Sequence, residues 1–206
     1  MPQFVHLHVH SQYSILDGQA SIQRLVDKAM ADGQPGIAIT DHGDMFGIKE
    51  FYNYVKKVKG KLKDKAADCE KRLEELRGGE AGAAEIADCE KQLAELRRKL
   101  AFKPIIGCEV YVARRRLHDK EGKPDQSGYH LILLAKNLKG YHNLIKIVSK
   151  AWTEGFYMRP RTDRVEIEKY HEGLICCSAC LAGEVPRAIT ADDMEKAEES
   201  ILWHKR

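Results

Sequence analysis

Residues Val5-His6-Leu7-His8-Val9-His10-Ser11 alternate imidazole and aliphatic side chains. In an extended strand successive side chains point to opposite faces, so His6, His8 and His10 share one side and Val5, Leu7 and Val9 the other. A core-facing strand puts apolar residues inward, and an exposed one has little use for three neutral bases. The pattern calls for a strand with one face toward a core and the other toward a metal or an anionic substrate. A solvated edge strand is the competing reading; the interleaved aliphatics argue against a purification tag.

Two properties of the whole chain narrow the classes. It has 206 residues, 43% of them apolar and 32% charged, which suits one soluble globular domain with a sizeable core. No apolar run approaches the roughly 20 residues that cross a bilayer, and no signal peptide follows Met1, so no membrane association and a cytoplasmic location are expected. The net charge of +3, from 34 basic and 31 acidic residues, neither announces nor excludes nucleic acid. Six cysteines, Cys69, Cys89, Cys108, Cys176, Cys177 and Cys180, fall at no regular spacing; only Cys108 and Cys180 neighbour other candidate site residues.

Along the chain, Ser21 can cap a helix with Ile22, Leu25, Val26 and Ala29 on one face, stopped by Gly33. Pro35 to Thr40 reads as a buried parallel strand opening into Asp41-His42-Gly43-Asp44. A helix follows, and residues 60–101 then change character. Leu62, Ala66, Cys69, Leu73 and Leu76, and after Gly78-Gly79 Ile86, Cys89, Leu93, Leu96 and Leu100, recur at steps of three and four. This predicts an inserted antiparallel helical hairpin with narrow apolar seams, without site chemistry; a contact arm for a partner protein is its functional alternative. Pro104 to Val112 returns to strand composition around one carboxylate, Glu109, which is costly to bury unless paired or metal-bound. Tyr129 to Ala135 is a further strand beginning with His130, and Gly173 to Ser178 another, with Cys180 just past it. Thr190 with Asp193 resembles a capping box, and the helix it opens runs to Arg206 without a stop signal, so the fold is expected to continue past this chain. The alternation of strand and helix predicts an α/β protein with a mainly parallel sheet, open or closed into a barrel, with reactive residues at the carboxyl ends of strands.

Collected, the candidate ligands are His8, His10, Asp17, His42, Glu109, His130 and Cys180. Nitrogen-rich donors with two carboxylates and a thiolate suit zinc, manganese or iron, and seven donors exceed one tetrahedral site. Clustered ions bridged by carboxylates serve phosphate-ester hydrolysis. Taken singly, His130 could be a hydrogen-bonded strand-end histidine and Cys180 a small buried hydrophobe.

Five segments together resemble a known family: His6 to Ser11, Ile39-Thr40-Asp41-His42-Gly43, Lys103 to Val112, His130 to Asn137 and Gly173-Leu174-Ile175. They are similar to the polymerase-and-histidinol-phosphatase (PHP) domain at the N-terminus of bacterial DNA polymerase III alpha subunits. Tyr13 to Gly18, Gly140 to Leu144 and Glu154 to Tyr157 look more like the polymerase branch than the free-standing phosphatases. The resemblance covers all but 60–101. It implies a distorted (β/α)7 TIM-like barrel holding up to three divalent ions. His8, His10 and Glu109 would serve one ion, Glu109 as a bridge with His130 and Cys180 a second, and Asp17 with His42 a third. Asp41, His42 and Glu109 would carry the chemistry, with Asp41 also supporting His42 or a water and His6 in a supporting role. The activity implied is a metal-dependent 3′-5′ exonuclease or related phosphoesterase.

The family also draws an Asp and a His from a last strand, in an Asn-Asp-X-His-like motif that nothing here matches. On that pattern residues 1–206 form a PHP domain truncated at its C-terminus, and two of the three ion sites lack a ligand. Arg114, Arg115, Arg116, Arg159 and Arg161 are placed to meet a DNA backbone, or are ordinary loop cations. Expected partners are DNA, the remaining polymerase domains and a proofreading exonuclease subunit. The competing functions are a metal-stabilised docking module without catalysis and a free phosphatase. Nucleotide addition must lie elsewhere, since the polymerase's catalytic aspartates are not identifiable in the chain.

Overall fold

The computed structural model describes residues 4–205. The chain forms two compact units. The first comprises the described residues through His6, Ser21–Ile37 and Lys49–Pro104; the second comprises Leu7–Ala20, Ala38–Ile48 and the chain from Ile105 onward.

In the first unit, helix α1 (Ile22–Ala31) starts on Ser21, whose side chain accepts a hydrogen bond from the Arg24 amide. Ile22, Val26, Ala29 and Met30 are its buried residues, and the chain leaves it through Gly33 at φ 76°. Helix α2 (Ile48–Gly78) runs for 31 residues, continuing through Gly60. Helix α3 (Ala83–Leu100) follows Gly82. Ala66 and Leu73 of α2 share an apolar cluster with Cys89 and Leu93 of α3, flanked by Cys69, Leu76, Ile86, Leu96 and Leu100. Arg77–Glu90 and Arg97–Glu70 ion pairs, at 2.5 and 2.9 Å, span the two helices outside this seam. Such exposed pairs contribute about 0–1 kcal/mol each, so the apolar seam holds the helices together.

The sheet contains β1 (Gly36–Ile39), β2 (Lys103–Val112), β3 (Tyr129–Ala135), β4 (Arg161–Thr162) and β5 (Leu174–Cys177), in the order β1-β2-β3-β5 with β4 against β2. It is mixed, which corrects the mainly parallel sheet expected. β3 runs antiparallel to both β2 and β5, and β4 parallel to β2. Strands covered on both faces have the same continuous apolar composition in either direction, so composition could not choose. The β2–β3 connection carries only the four-residue α4 (Lys123–Gln126), too short for the crossover helix that parallel neighbours need.

Strands β2 and β3 separate core from site by simple alternation. Cys108, Val110, Val112, Leu131 and Leu133 face a core completed by Leu144, Ile147 and Val148 of α5 (Leu138–Thr153) and Ile167 of α6 (Arg164–Tyr170). Glu109, Tyr111 and His130 point the other way. Cys108 is therefore a core residue: it is fully buried and its thiol donates to the Asp41 carbonyl.

Two further expectations are corrected. The Val5–Ser11 segment forms no ladder strand; at Val9 it is held by the Thr40 amide donating to the Val9 carbonyl and the Val9 amide donating to Thr40 Oγ1, both at 2.8 Å. The Thr40 side chain thus occupies a bond that a ladder neighbour would make. Thr190 opens no helix: it closes α7 (Glu184–Thr190), Asp192 turns the chain at φ 58°, and Asp193 caps α8 (Met194–Lys205) by accepting from the Lys196 amide.

Asp163, fully buried, ties a loop to a helix. Its Oδ1 accepts from the Glu166 amide at the start of α6, and its Oδ2 accepts from Arg116 Nε at 2.7 Å and the Leu117 amide at 3.0 Å. Burial pushes this carboxyl up, but the Arg116 guanidinium and the two amides outweigh it and hold it below its ordinary 3.8. An acid whose pKa is lower folded than unfolded contributes stability above the unfolded value and loses it as pH falls through the folded one. Asp163→Asn is therefore expected to lower stability at pH 7 and to flatten its acid dependence below about pH 4, measured by urea unfolding at stepped pH.

Candidate metal centre

Glu109, 1% exposed, is the hub. Its amide donates to the Asp41 carbonyl and its carbonyl accepts from the Gly43 amide, so the chain after β1 runs alongside β2 and places His42 beside it. Gly43 is at φ 65°, and a Cβ there would lie 2.7 Å from Pro160 and 3.0 Å from Tyr111; the turn needs glycine. His130, the second residue of β3, lies opposite Tyr111 on the same face.

The carboxylate divides its two oxygens. Oε2 lies 2.5 Å from His8 Nε2 and 3.5 Å from His10 Nε2; Oε1 lies 2.8 Å from His42 Nδ1 and 2.6 Å from His130 Nδ1. The structure thus brings together His8, His10 and Glu109 in one group and His42, Glu109 and His130 in a second. Asp17, exposed in the preceding loop, reaches the other ring nitrogen of His42 at 2.9 Å. Cys180, also exposed, has its sulfur 3.6 Å from His130 Nδ1. His6 belongs to the first unit, where it is exposed and edge-on to Phe4.

This donor set fits divalent cations. Among the described residues, the ion-pair partners of Glu109 are histidines alone. The His8 and His10 Nε2 atoms, 3.1 Å apart, both approach the same carboxylate oxygen, so two ring nitrogens and one anionic oxygen converge on one point. Burial pushes the Glu109 carboxyl up, yet bonds from His10, His130, His42 and His8 outweigh it and hold it far below the carboxylate range. His42 is raised to about 9, first by its bond to Glu109 and then, against the opposing effect of burial, by Asp17. A site that draws a proton onto His42 this strongly is one that attracts positive charge.

Two of the supporting residues, Ser14 and Tyr111, are ones that motif reading passed over. Asp41, buried, accepts from the Ser11 amide (2.6 Å), Ser11 Oγ (2.7 Å) and Ser14 Oγ (2.7 Å). Ser14 Oγ in turn lies 3.2 Å from His10 Nδ1 and accepts from the His42 amide. Asp41 therefore acts on both histidines through Ser14. The sequence signal was available: Ser14 is four residues from His10 in a tight loop. Tyr111, two residues past Glu109 and hence on its face, packs parallel to His42 with ring centroids 6.3 Å apart. Partners that orient a ligand tune affinity, so Ser14→Ala is expected to weaken zinc binding about 10–100-fold while Tm changes little, measured by competition with a chromogenic chelator.

The arginines divide. Arg115 is committed to Asp125 and Glu121, and Arg116 to Asp163. Arg161 is completely buried, its guanidinium donating to the carbonyls of Gly155, Leu117 and Asp119. It lies in β4, and the carbonyls that take up its guanidinium belong to residues 6 to 44 positions away, which hid this. Arg114 lies over the Tyr129 ring, and exposed Arg159 donates to Tyr111 Oη at 2.7 Å.

The family model for the PHP domain matches residues 6–206. The chain belongs to the PHP domain family. This PHP chain is 40% identical over 205 residues to the DNA polymerase III subunit alpha of Borreliella burgdorferi, covering 99% of this chain and 14% of that protein. It is 40% identical over 197 residues to the Treponema pallidum subunit, covering 95% and 13%, and 37% identical over 203 residues to that of Thermus aquaticus, covering 97% and 13%. The chain thus spans about one-seventh of the length of these relatives. No helix among the described residues is long and apolar enough to cross a membrane.

Proposed function

We propose that this chain is the N-terminal PHP domain of a replicative DNA polymerase III alpha subunit, working in the cytoplasm, with a multinuclear metal site that hydrolyses DNA phosphodiesters from the 3′ end. The observation that carries this is the division of Glu109 between two histidine pairs, which suits one carboxylate to bridging two ions. His8, His10 and Glu109 would hold the first; Glu109, His130 and Cys180 the second; Asp17 and His42 the third. Zinc, manganese and iron all suit these donors. Bound there, such ions supply Lewis acidity toward water and toward the phosphoryl oxygens. Asp41, through Ser11 and Ser14, fixes the loop that carries His10 and Asp17. Arg159, held on Tyr111, supplies a cation for the substrate phosphate, and Arg114 a more distant one.

In the same reading the mixed sheet is part of a distorted (β/α)7 barrel, α2 and α3 beyond residue 60 form an inserted hairpin, and the domain meets other polymerase domains and a proofreading subunit. The test is digestion of a 5′-labelled single-stranded oligonucleotide with manganese. Stepwise shortening from the 3′ end is expected, with at least a 100-fold loss in His8→Ala. No shortening by a metal-loaded chain would overturn the hydrolytic part and leave a metal-stabilised docking module.

A further inference from the structure

We propose that Phe46, Trp152 and Phe156 form a base-stacking platform that receives single-stranded DNA beside the metal centre; this rests on the phosphodiester-hydrolysing reading and names what presents the substrate. The three rings make a continuous row, with centroids 5.8 Å apart from Phe46 to Trp152 and 5.6 Å from Trp152 to Phe156. All three are open to solvent, at 64%, 41% and 46%. Large aromatic rings seldom stay exposed side by side without a ligand, because each covers apolar area that burial would stabilise.

The row is fixed in place and tied to the centre. The Trp152 indole N–H donates to the Gly43 carbonyl at 2.8 Å, next to His42, and the Phe46 amide donates to Asp44 Oδ1 at 3.0 Å. A pinned ring loses little freedom when a base settles on it. Past Phe156 the chain makes a tight turn in which Met158 adopts φ 62°, a conformation that favours glycine, and the Tyr157 amide bonds to the Arg159 carbonyl. Such conformations concentrate at functional sites. This turn presents Arg159, which has no carboxylate partner among the described residues and whose guanidinium lies 4.9 Å from the centre of the Tyr111 ring. Tyr111 in turn touches His42 and His130.

The order is thus aromatic row, unpaired cation, ligand cluster. Single-stranded nucleic acid is recognised by this combination, bases on rings and backbone on cations, whereas a duplex keeps its bases stacked inside. The charge argues against a basic or apolar polypeptide as occupant, and the place of the cation between the rings and the histidines suits a phosphate passing toward the site.

The experiment uses the 206-residue chain in EDTA, so that hydrolysis plays no part. Trp152 and Trp203 are the two tryptophans, and Trp203→Phe leaves Trp152 as the reporter. Oligothymidylate is expected to quench its fluorescence, and Phe46→Ala and Phe156→Ala each to weaken binding about tenfold. An abasic strand of equal length and a duplex should both bind at least tenfold more weakly. The same arms are read by anisotropy of a labelled oligonucleotide on the chain with both tryptophans, in case Trp203→Phe disturbs folding. No oligothymidylate binding, equal binding of the abasic strand, or unchanged affinity in both phenylalanine variants would overturn the platform. Base-dependent binding without manganese-dependent shortening would leave the platform standing and overturn only the hydrolytic reading; shortening without it would do the reverse.

Discussion

Glu109→Gln is expected to lose both clustered ions, not one. The side chain keeps its size but gives up the charge that Oε1 presents to His42 and His130 and Oε2 to His8 and His10. Metal affinity should fall at least about 100-fold at each position, more than the loss of an orienting partner brings. His8→Ala, by contrast, touches only the Oε2 side and should spare the other group. The variant also loses the stabilisation that ligand binding adds, about 2.7 kcal/mol when metal is at 100 times its dissociation constant. Titration calorimetry with zinc and thermal melts with and without metal measure both. A Glu109→Gln chain that keeps one tight ion would show that the carboxylate does not bridge.

Arg161→Met is expected to lower stability by about 3 kcal/mol or more, since each buried carbonyl left without a donor costs about 1–3 kcal/mol. The guanidinium is fully buried and satisfies three carbonyls, at 3.2, 3.1 and 2.9 Å from Gly155, Leu117 and Asp119. Methionine fills much of the volume but leaves those oxygens without a donor. At 206 residues this corresponds to a fall in Tm of roughly 10 °C. Arg159→Ala, at an exposed position, should leave Tm unchanged and lower oligonucleotide affinity. A stable Arg161→Met chain with impaired DNA binding would return Arg161 to the surface role that its charge first indicated.

These two residues mark what the sequence could and could not convey. A glutamate inside Ile105-Ile106-Gly107-Cys108-Glu109-Val110 contradicts its surroundings, and that contradiction pointed to the site without any structure. The alternation of His8 and His10 likewise survives as a shared side, although the segment forms no ladder strand. Arg161 sits among polar and charged neighbours in sequence, and its burial comes from elements 6 to 44 residues away. Strand direction was hidden for a related reason: apolar strands covered on both faces carry no directional mark. The helix seams of α2 and α3 were legible because their period is local, while the continuity of α2 through Gly60 was not, since glycine in a helix interior costs only about 1 kcal/mol and long neighbouring turns tolerate it. Ser14 and Tyr111 were within reach of spacing rules but lacked the chemical conspicuousness of a histidine.

The most direct test of the metal centre is the metal content of the unmodified chain. After dialysis against zinc or manganese and removal of free ion, elemental analysis should find at least two ions per chain, one for each histidine group on Glu109. Less than one ion per chain at saturating metal would contradict it.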